Sequence, residues 1–416
     1  MRDRGLAQVD QKNRVREALR SGREVAWLRD SVSDETALGP TIPSSEVDAA
    51  ARRFARFQGV LARLFADKGW DGLVRSALLD APACAGGLVK GDHDLPITGS
   101  IKERGGVHAL LAIVERISDR CHLALDRLAS AEAGDVLGRH TIVVASTGNL
   151  GFSVGVFARA FGLQAQVHMS ADARGWKKER LREAGAQVVE HRCDYSETLQ
   201  RARAAASATN CWLIDDESGR DLLTGYAVAG AEVREQLEAR GTFVDAARPL
   251  VAYLPCGIGG APGGITYGLK RYFGRAVVTV FVEPVASPCM LAALALGNGA
   301  PVSVYDYGCD NQTIADGLQV PVASKLVLDA VGGAVDAAIS VSDPAMLQWM
   351  ATLWDWSRLQ LEPSAAAAFA ARDLLLSAAR HQQGWPPLNS ATHLYWATGG
   401  SQLPKGEFTR LLGAGQ

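Results

Sequence analysis

At 416 residues, with 48% hydrophobic and 21% charged side chains, the chain has the composition of an ordinary globular protein long enough for two lobes and a substantial core. A formal net charge of −2 gives no electrostatic footing for nucleic acid or a membrane surface, and no apolar run approaches bilayer-spanning length. Seven scattered cysteines without a C-x-x-C pair, eight histidines without metal spacing and an N-terminus lacking a signal-peptide core exclude a disulfide framework or zinc site and point to a cytoplasmic enzyme.

The pattern predicts two polar helical segments first, over 6–28 and 44–65, then a Gly/Pro-punctuated region over 81–99. An apolar helical run follows at 107–117. From residue 140 onward, short β-branched runs alternate with longer amphipathic ones. Strands are expected at 141–145, 164–168, 187–190 and 211–214, and further on at 250–254, 277–282, 338–341 and 392–396. Helices are expected between them, among others at 149–161, 177–184, 196–206 and 221–240. Such alternation argues for open, mostly parallel sheets flanked by helices, the early strands forming a smaller sheet and the later ones a larger. The Ala365–Ala368 run reads as a close-packing helix with Ser364 as its N-cap.

Four stretches carry chemistry. In Ser100-Ile101-Lys102-Glu103-Arg104-Gly105-Gly106, Lys102 stands where an amine can be presented to an aldehyde, as in lysine Schiff bases with pyridoxal phosphate. The same residues read equally as an S-x-x-E capping box, Ser100 to Glu103, with Lys102 a solvated first-turn residue. Ala145-Ser146-Thr147-Gly148-Asn149-Leu150-Gly151 leaves a strand and opens a helix, in the crevice where α/β proteins bind ligands. Its hydroxyls, amide and helix-start N–H groups suit a carboxylate. Cys256-Gly257-Ile258-Gly259-Gly260-Ala261-Pro262-Gly263 again joins a strand to a helix and suits a phosphate. Thr398-Gly399-Gly400, closing the last strand, could set a neutral hydroxyl against a pyridine nitrogen or merely turn the chain. Gly257-x-Gly259 with Glu283 further on also resembles a dinucleotide fingerprint, although Pro262 falls where its third glycine belongs; a nicotinamide oxidoreductase is thus the competing reading. Glu283 reads either as a turn residue or as a ligand for a monovalent cation, K+ or Na+.

Taken together, GSIKERGG, ASTGNLG, VHMSADARGWKK, PCGIGGAPGG, EPVASPCM, DNQTIADGL, LEPSA and THLYWATGG resemble the fold-type-II pyridoxal-phosphate enzymes, and within them the D-serine dehydratase (D-serine ammonia-lyase) family. They run in family order from about residue 86 to the end. The resemblance implies a two-domain α/β fold of the tryptophan synthase β type. Residues 1–100 and 225–416 would form the large cofactor-binding domain and 101–224 the small one, with Lys102 near the junction. It implies pyridoxal 5'-phosphate as cofactor and Lys102 as the catalytic Schiff-base lysine. Asn149 would face the ring hydroxyl, Gly257, Ile258, Gly259, Gly260 and Ala261 the phosphate, Gly317 the ring and Thr398 its nitrogen. Ser146, Thr147, Asn149 and Asp316 would meet a small amino-acid substrate. The implied reaction is α,β-elimination of D-serine to pyruvate and ammonia through aminoacrylate, by a monomer without nucleic-acid or membrane partners. An L-serine, L-threonine or D-threonine dehydratase shares the apparatus, and stereochemistry rests on the resemblance alone. Three positions depart from the family pattern: Ala261 where glycine is usual, Glu103 for a small residue and Asp94 for a histidine. Alanine at 261 would cost roughly 1 kcal/mol if the position needs φ > 0, and nothing otherwise.

Overall fold

Among the described residues, eleven strands, taken in chain order, form two sheets: β1 (Val25–Leu28), β2 (Leu78–Asp80), β3 (Leu88–Lys90), β4 (Thr141–Ala145), β5 (Gln164–Ser170), β6 (Gln187–His191), β7 (Cys211–Ile214), β8 (Leu250–Pro255), β9 (Val277–Pro284), β10 (Ala337–Val341) and β11 (Thr392–Trp396). The computed structural model describes residues 2–146, 148–193, 195–380 and 382–415. The chain divides into two units, one comprising residues 1–42, 76–93 and 229–416, the other 43–75 and 94–228. The first hundred residues are therefore shared between the units.

The first unit holds a seven-stranded sheet ordered β1-β10-β9-β8-β11-β3-β2. Its five inner strands run parallel, and only the edge strands β1 and β2 pair antiparallel. Burial on both faces explains why β8, β9 and β10 read as nearly continuous apolar runs rather than alternating ones, with Thr279, Glu283 and Ser340 as their polar exceptions. Their residues Val251, Val278, Val280, Val282 and Ile339 are fully enclosed. The alanine run lies in the helix Pro363–Ala370, with Ala365 to Ala368 all at 0% exposure, so small side chains let that helix close down on the sheet. Its N-cap is Glu362 and not Ser364, because Pro363 takes the first helical position, where its missing N–H costs nothing.

The second unit is built on the all-parallel sheet β6-β5-β4-β7, so the early strands do make the smaller sheet. Its helices include Ser44–Leu64, Lys102–Cys121, Asn149–Ala160, Gly175–Glu183 and Arg220–Ala227. The expected helix over 6–28 stops at Arg20, and 25–28 become the edge strand β1. Likewise the single helix expected over 221–240 is two, Arg220–Ala227 and Ala229–Ala239, broken where the chain passes from one unit to the other. Among the described residues, no helix is long and apolar enough to cross a membrane.

Candidate active site

Lys102 is the first residue of its helix, and its side chain remains 21% exposed. Its Nζ lies 3.1 Å from Asp216 Oδ2 and 5.9 Å from the centroid of the Tyr226 ring. Burial disfavours charge on this amine, but the Asp216 carboxylate, helped by Tyr226, more than offsets it and holds the amine above the ordinary lysine value. Lys102 is thus an ion-paired side chain in a recess, not a solvated first-turn residue. Glycine at 105 is what admits Tyr226: a β-carbon there would stand 2.4 Å from the ring. Both partners escape sequence reading, since Asp216 lies 114 positions away and carries no local motif.

The capping box does not form. Ser100 Oγ is buried and has no hydrogen-bond partner among the described residues, whereas Glu103 turns its carboxylate to the backbone N–H groups of Ile97 (3.2 Å) and Thr98 (2.7 Å) and to the Thr98 hydroxyl (3.0 Å). Its other oxygen has no partner among the described residues. Burial pushes the Glu103 carboxyl up to about 7, against the pull of the Thr98 and Ile97 hydrogen bonds and of the Arg104 charge. Thr98 Oγ1 in turn meets Ser153 Oγ at 2.8 Å, on the helix that Asn149 opens. A β-carbon at Gly106 would stand 3.2 Å from Leu150 Cδ1, so these two helices approach closely within a turn of Lys102 and Asn149.

Ser146 leaves β4 and accepts hydrogen bonds on Oγ from the backbone N–H groups of Gly148 (3.1 Å) and Gly151 (3.0 Å). The hydroxyl thereby holds the turn that starts the Asn149 helix. Asn149 is half-buried at the helix start; Thr147 lies outside the described residues.

In the first unit, residues Cys256 to Gly259 leave β8 and Gly260 opens the helix Gly260–Phe273. Gly259 caps that helix with φ = +108°, and a β-carbon on it would stand 2.4 Å from Met290 Cε. No other residue fits here. Ala261 lies in the first helical turn and is not among the residues with positive φ, so its departure from glycine costs no backbone strain. The short turn Asp316–Leu318 abuts this loop: a β-carbon at Gly257 would stand 3.2 Å from the Gly317 carbonyl oxygen. Gly317 in turn faces Ser364, whose Oγ is buried without a partner among the described residues.

Thr398 follows β11, the neighbour of β8, and is 8% exposed. Two contacts press its loop against the Pro363–Ala370 helix start: Glu362 N–H donates to the Gly399 carbonyl (3.1 Å), and Gly400 at φ = +133° lies where any β-carbon would strike Leu361. Beneath it runs a buried ionic network. Lys90 donates to Ser76 O (2.8 Å) and Oγ (2.6 Å) and pairs with Glu232, while Asp92 accepts from Ser76 Oγ (2.6 Å) and Trp396 Nε1 (2.7 Å). Such a network, once complete, fixes side chains firmly because breaking one member strands the rest. The 257–261 loop, Gly317, Ser364 and Thr398 therefore come together at the carboxyl ends of β8 and β11.

Glu283, at the end of β9, uses both carboxylate oxygens to accept the N–H groups of Met290 and Leu291, each at 2.7 Å, and so caps the helix Cys289–Ala295. Burial pushes its carboxyl up to about 8. A carboxylate so engaged is not poised for a nucleotide ribose. Among the described residues, no cluster of three or more His, Cys, Asp or Glu could hold a metal.

The donor set suits pyridoxal phosphate. In the first unit, a helix start behind a glycine turn offers N–H groups to a phosphate, with a neutral hydroxyl (Thr398) and a buried one without a partner among the described residues (Ser364) at the same strand ends. In the second unit, taken by itself, an amine recess stands at Lys102. The family model "Pyridoxal-phosphate dependent enzyme" matches residues 72–386. A probable D-serine dehydratase from Sinorhizobium medicae is 41% identical, over 94% of this chain and 95% of its own. One from Cupriavidus pinatubonensis is 42% identical, over 94% and 93%. Among solved structures, diaminopropionate ammonia lyase from Escherichia coli in complex with D-serine superposes with a TM-score of 0.72 at 19% identity, over 95% of this chain and 98% of that one. The Escherichia coli enzyme has also been captured with an aminoacrylate-PLP azomethine reaction intermediate. With a dinucleotide role for Glu283 removed and the family model matched over residues 72–386, the chain belongs to the pyridoxal-phosphate dependent enzymes and, within them, to the D-serine dehydratase family.

Proposed function

We propose that the protein eliminates water from D-serine, giving pyruvate and ammonia, with pyridoxal phosphate bound through Lys102. Identity of about 40% to D-serine dehydratases along nearly the whole chain supports the substrate. The observation that carries the chemistry is the Lys102 amine, recessed at a helix start and ion-paired with Asp216.

The cofactor phosphate would be held by Gly257, Ile258, Gly259, Gly260 and Ala261, the ring by Gly317, the ring hydroxyl by Asn149 and the ring nitrogen by Thr398, with Ser364 beside it. Bound there, pyridoxal phosphate supplies a conjugated electron sink next to the substrate α-carbon. Lys102 Nζ, once released, is the base for the α-proton, and Asp216 stabilises the ammonium that results. Thr398, a neutral hydroxyl, cannot keep a proton on the ring nitrogen, which favours expulsion of the β-hydroxyl over accumulation of negative charge. The Ser146 hydroxyl and the start of the Asn149 helix receive the substrate carboxylate, and Asp316 lies on the substrate side. The released enamine hydrolyses in water to pyruvate and ammonia.

The test is a pyruvate assay with each serine enantiomer, run on wild type and on Lys102→Ala. D-Serine should be consumed and L-serine spared. Lys102→Ala should lose turnover and carry no borohydride-trappable cofactor. Preferred consumption of L-serine would overturn the stereochemistry, and an active Lys102→Ala protein the mechanism.

A further inference from the structure

Ser364 is the only hydroxyl residue in Glu362-Pro363-Ser364-Ala365-Ala366-Ala367-Ala368, and the four alanines after it are fully buried. A fifth alanine would serve packing equally. Ser364 is instead a polar residue at 3% exposure, and its Oγ has no hydrogen-bond partner among the described residues. Leu318, Ala365 and Ala397, the chain neighbours of Gly317, Ser364 and Thr398, belong to one buried apolar cluster. A hydroxyl left unpaired in such surroundings costs stability, and a bound group that supplies the missing partner offsets that cost.

Two sets of contacts fix the place of that hydroxyl, all within the first unit. On one side, a β-carbon on Gly317 would stand 3.0 Å from Ser364 Oγ, and Gly317 itself abuts the proposed phosphate loop at Gly257. A side chain at 317 would cover the hydroxyl, so glycine there leaves it open. On the other side, Glu362 donates its N–H to the Gly399 carbonyl at 3.1 Å, and Gly400 packs on Leu361. These contacts pin the start of the Pro363–Ala370 helix to the loop of Thr398. Ser364 is thus bracketed by the turn proposed to face the cofactor ring and the loop proposed to face its nitrogen. The phosphate already has the 257–261 loop and the helix start behind it, whereas the nitrogen has Thr398 alone. An unprotonated pyridine nitrogen is an acceptor, and a serine hydroxyl can donate to it without giving up its proton.

We propose that the Ser364 hydroxyl is a second donor to the ring nitrogen of the cofactor, shared with Thr398 and approaching from the Gly317 side. The inference rests on the pyridoxal-phosphate reading above and adds a residue that anchors the ring without protonating it.

The experiment titrates cofactor-stripped protein by fluorescence with pyridoxal phosphate and with its 1-deaza analogue, in which C–H replaces the ring nitrogen. Phosphate, aldehyde and ring hydroxyl are common to both ligands, and their intrinsic differences are the same for every variant. The change in the ratio of the two affinities therefore reports on the nitrogen alone. Ser364→Ala should weaken pyridoxal phosphate ~2–10-fold, the range of one neutral hydrogen bond, and leave the analogue unchanged. Thr398→Val added to Ser364→Ala should lower the ratio further by a similar factor. Ser364→Cys, which puts a poor donor in the same place, should behave like Ser364→Ala and decides the matter if the alanine variant does not fold. A purely structural role would weaken both ligands alike, so equal weakening in either variant would overturn the assignment, as would an unchanged ratio. Should Thr398→Val also leave the ratio unchanged, the nitrogen lies elsewhere and only the placement of the ring falls. Should wild type bind no pyridoxal phosphate, the cofactor reading and this inference fall together.

Discussion

Glu103→Gln should abolish a pH-dependent loss of stability that is built in next to Lys102, the proposed Schiff-base lysine. The wild-type carboxyl is 0% exposed and its pKa is raised by burial to about 7, from an ordinary 4.5. An acid whose folded pKa is raised keeps its proton in the fold after the unfolded chain has lost it, so between these two values the native state binds more protons. Stability is then complete below pH 4.5, falls as pH rises through the window and is lost by pH 7. About two and a half pH units at ~1.4 kcal/mol each gives about 3 kcal/mol. Glutamine keeps the carbonyl that accepts the Thr98 and Ile97 hydrogen bonds but carries no titrating proton. The assay is calorimetry of cofactor-stripped protein at pH 5 and pH 7.5, comparing the Tm difference between variant and wild type at each. At ~1 °C per kcal/mol for a chain of 416 residues, that difference should move in favour of the variant by roughly 3 °C at the higher pH. Glu283, whose carboxyl is also raised, is common to both proteins and cancels. Melting curves that keep the same separation at both pH values would refute the reasoning.

Two other substitutions probe the two halves of the candidate site. Gly259→Ala forces a β-carbon into a residue at φ = +108° and against Met290, a strain of ~1–3 kcal/mol in the proposed phosphate loop. Fluorescence titration of the stripped protein should show pyridoxal phosphate binding weakened about tenfold or more, with pyridoxal, which lacks the phosphate, much less affected; equal weakening of both would remove the phosphate from this loop. Asp216→Asn takes away the carboxylate that holds Lys102 protonated, leaving burial to draw the amine downward. Borohydride-trappable incorporation of pyridoxal phosphate at pH 7.5 should therefore be faster than in wild type, and an unchanged pH profile of incorporation would separate Asp216 from Lys102.

The site was legible in pieces. Apart from Gly317, which lies in the short turn Asp316–Leu318, each proposed cofactor-facing residue lies between a strand and a helix or at the start of a helix, where glycine, hydroxyl and amide residues cluster within six or seven positions. Ser364 reads from the sequence only as a helix N-cap, although its buried hydroxyl faces Gly317, because a side chain aimed at a neighbouring turn leaves no spacing signal. Glu103 shows the limit most plainly. Its S-x-x-E spacing from Ser100 promised a reciprocal cap, but the carboxylate found better donors in the preceding loop, at Ile97 and Thr98.

Hydrophobic periodicity by itself determined the α/β class and most strands, since a strand buried on both faces must read as a short apolar run and the helices that cover it must be amphipathic. Only the folded chain decided that residues 25–28 add an antiparallel edge, that the helix after Arg220 breaks at the boundary between units, and that Asp216 and Tyr226 accompany Lys102. Those outcomes depend on pairings between residues far apart in the chain. Such pairings leave no periodicity in the local pattern, because the charge or the free strand edge that each residue meets is supplied by another part of the molecule.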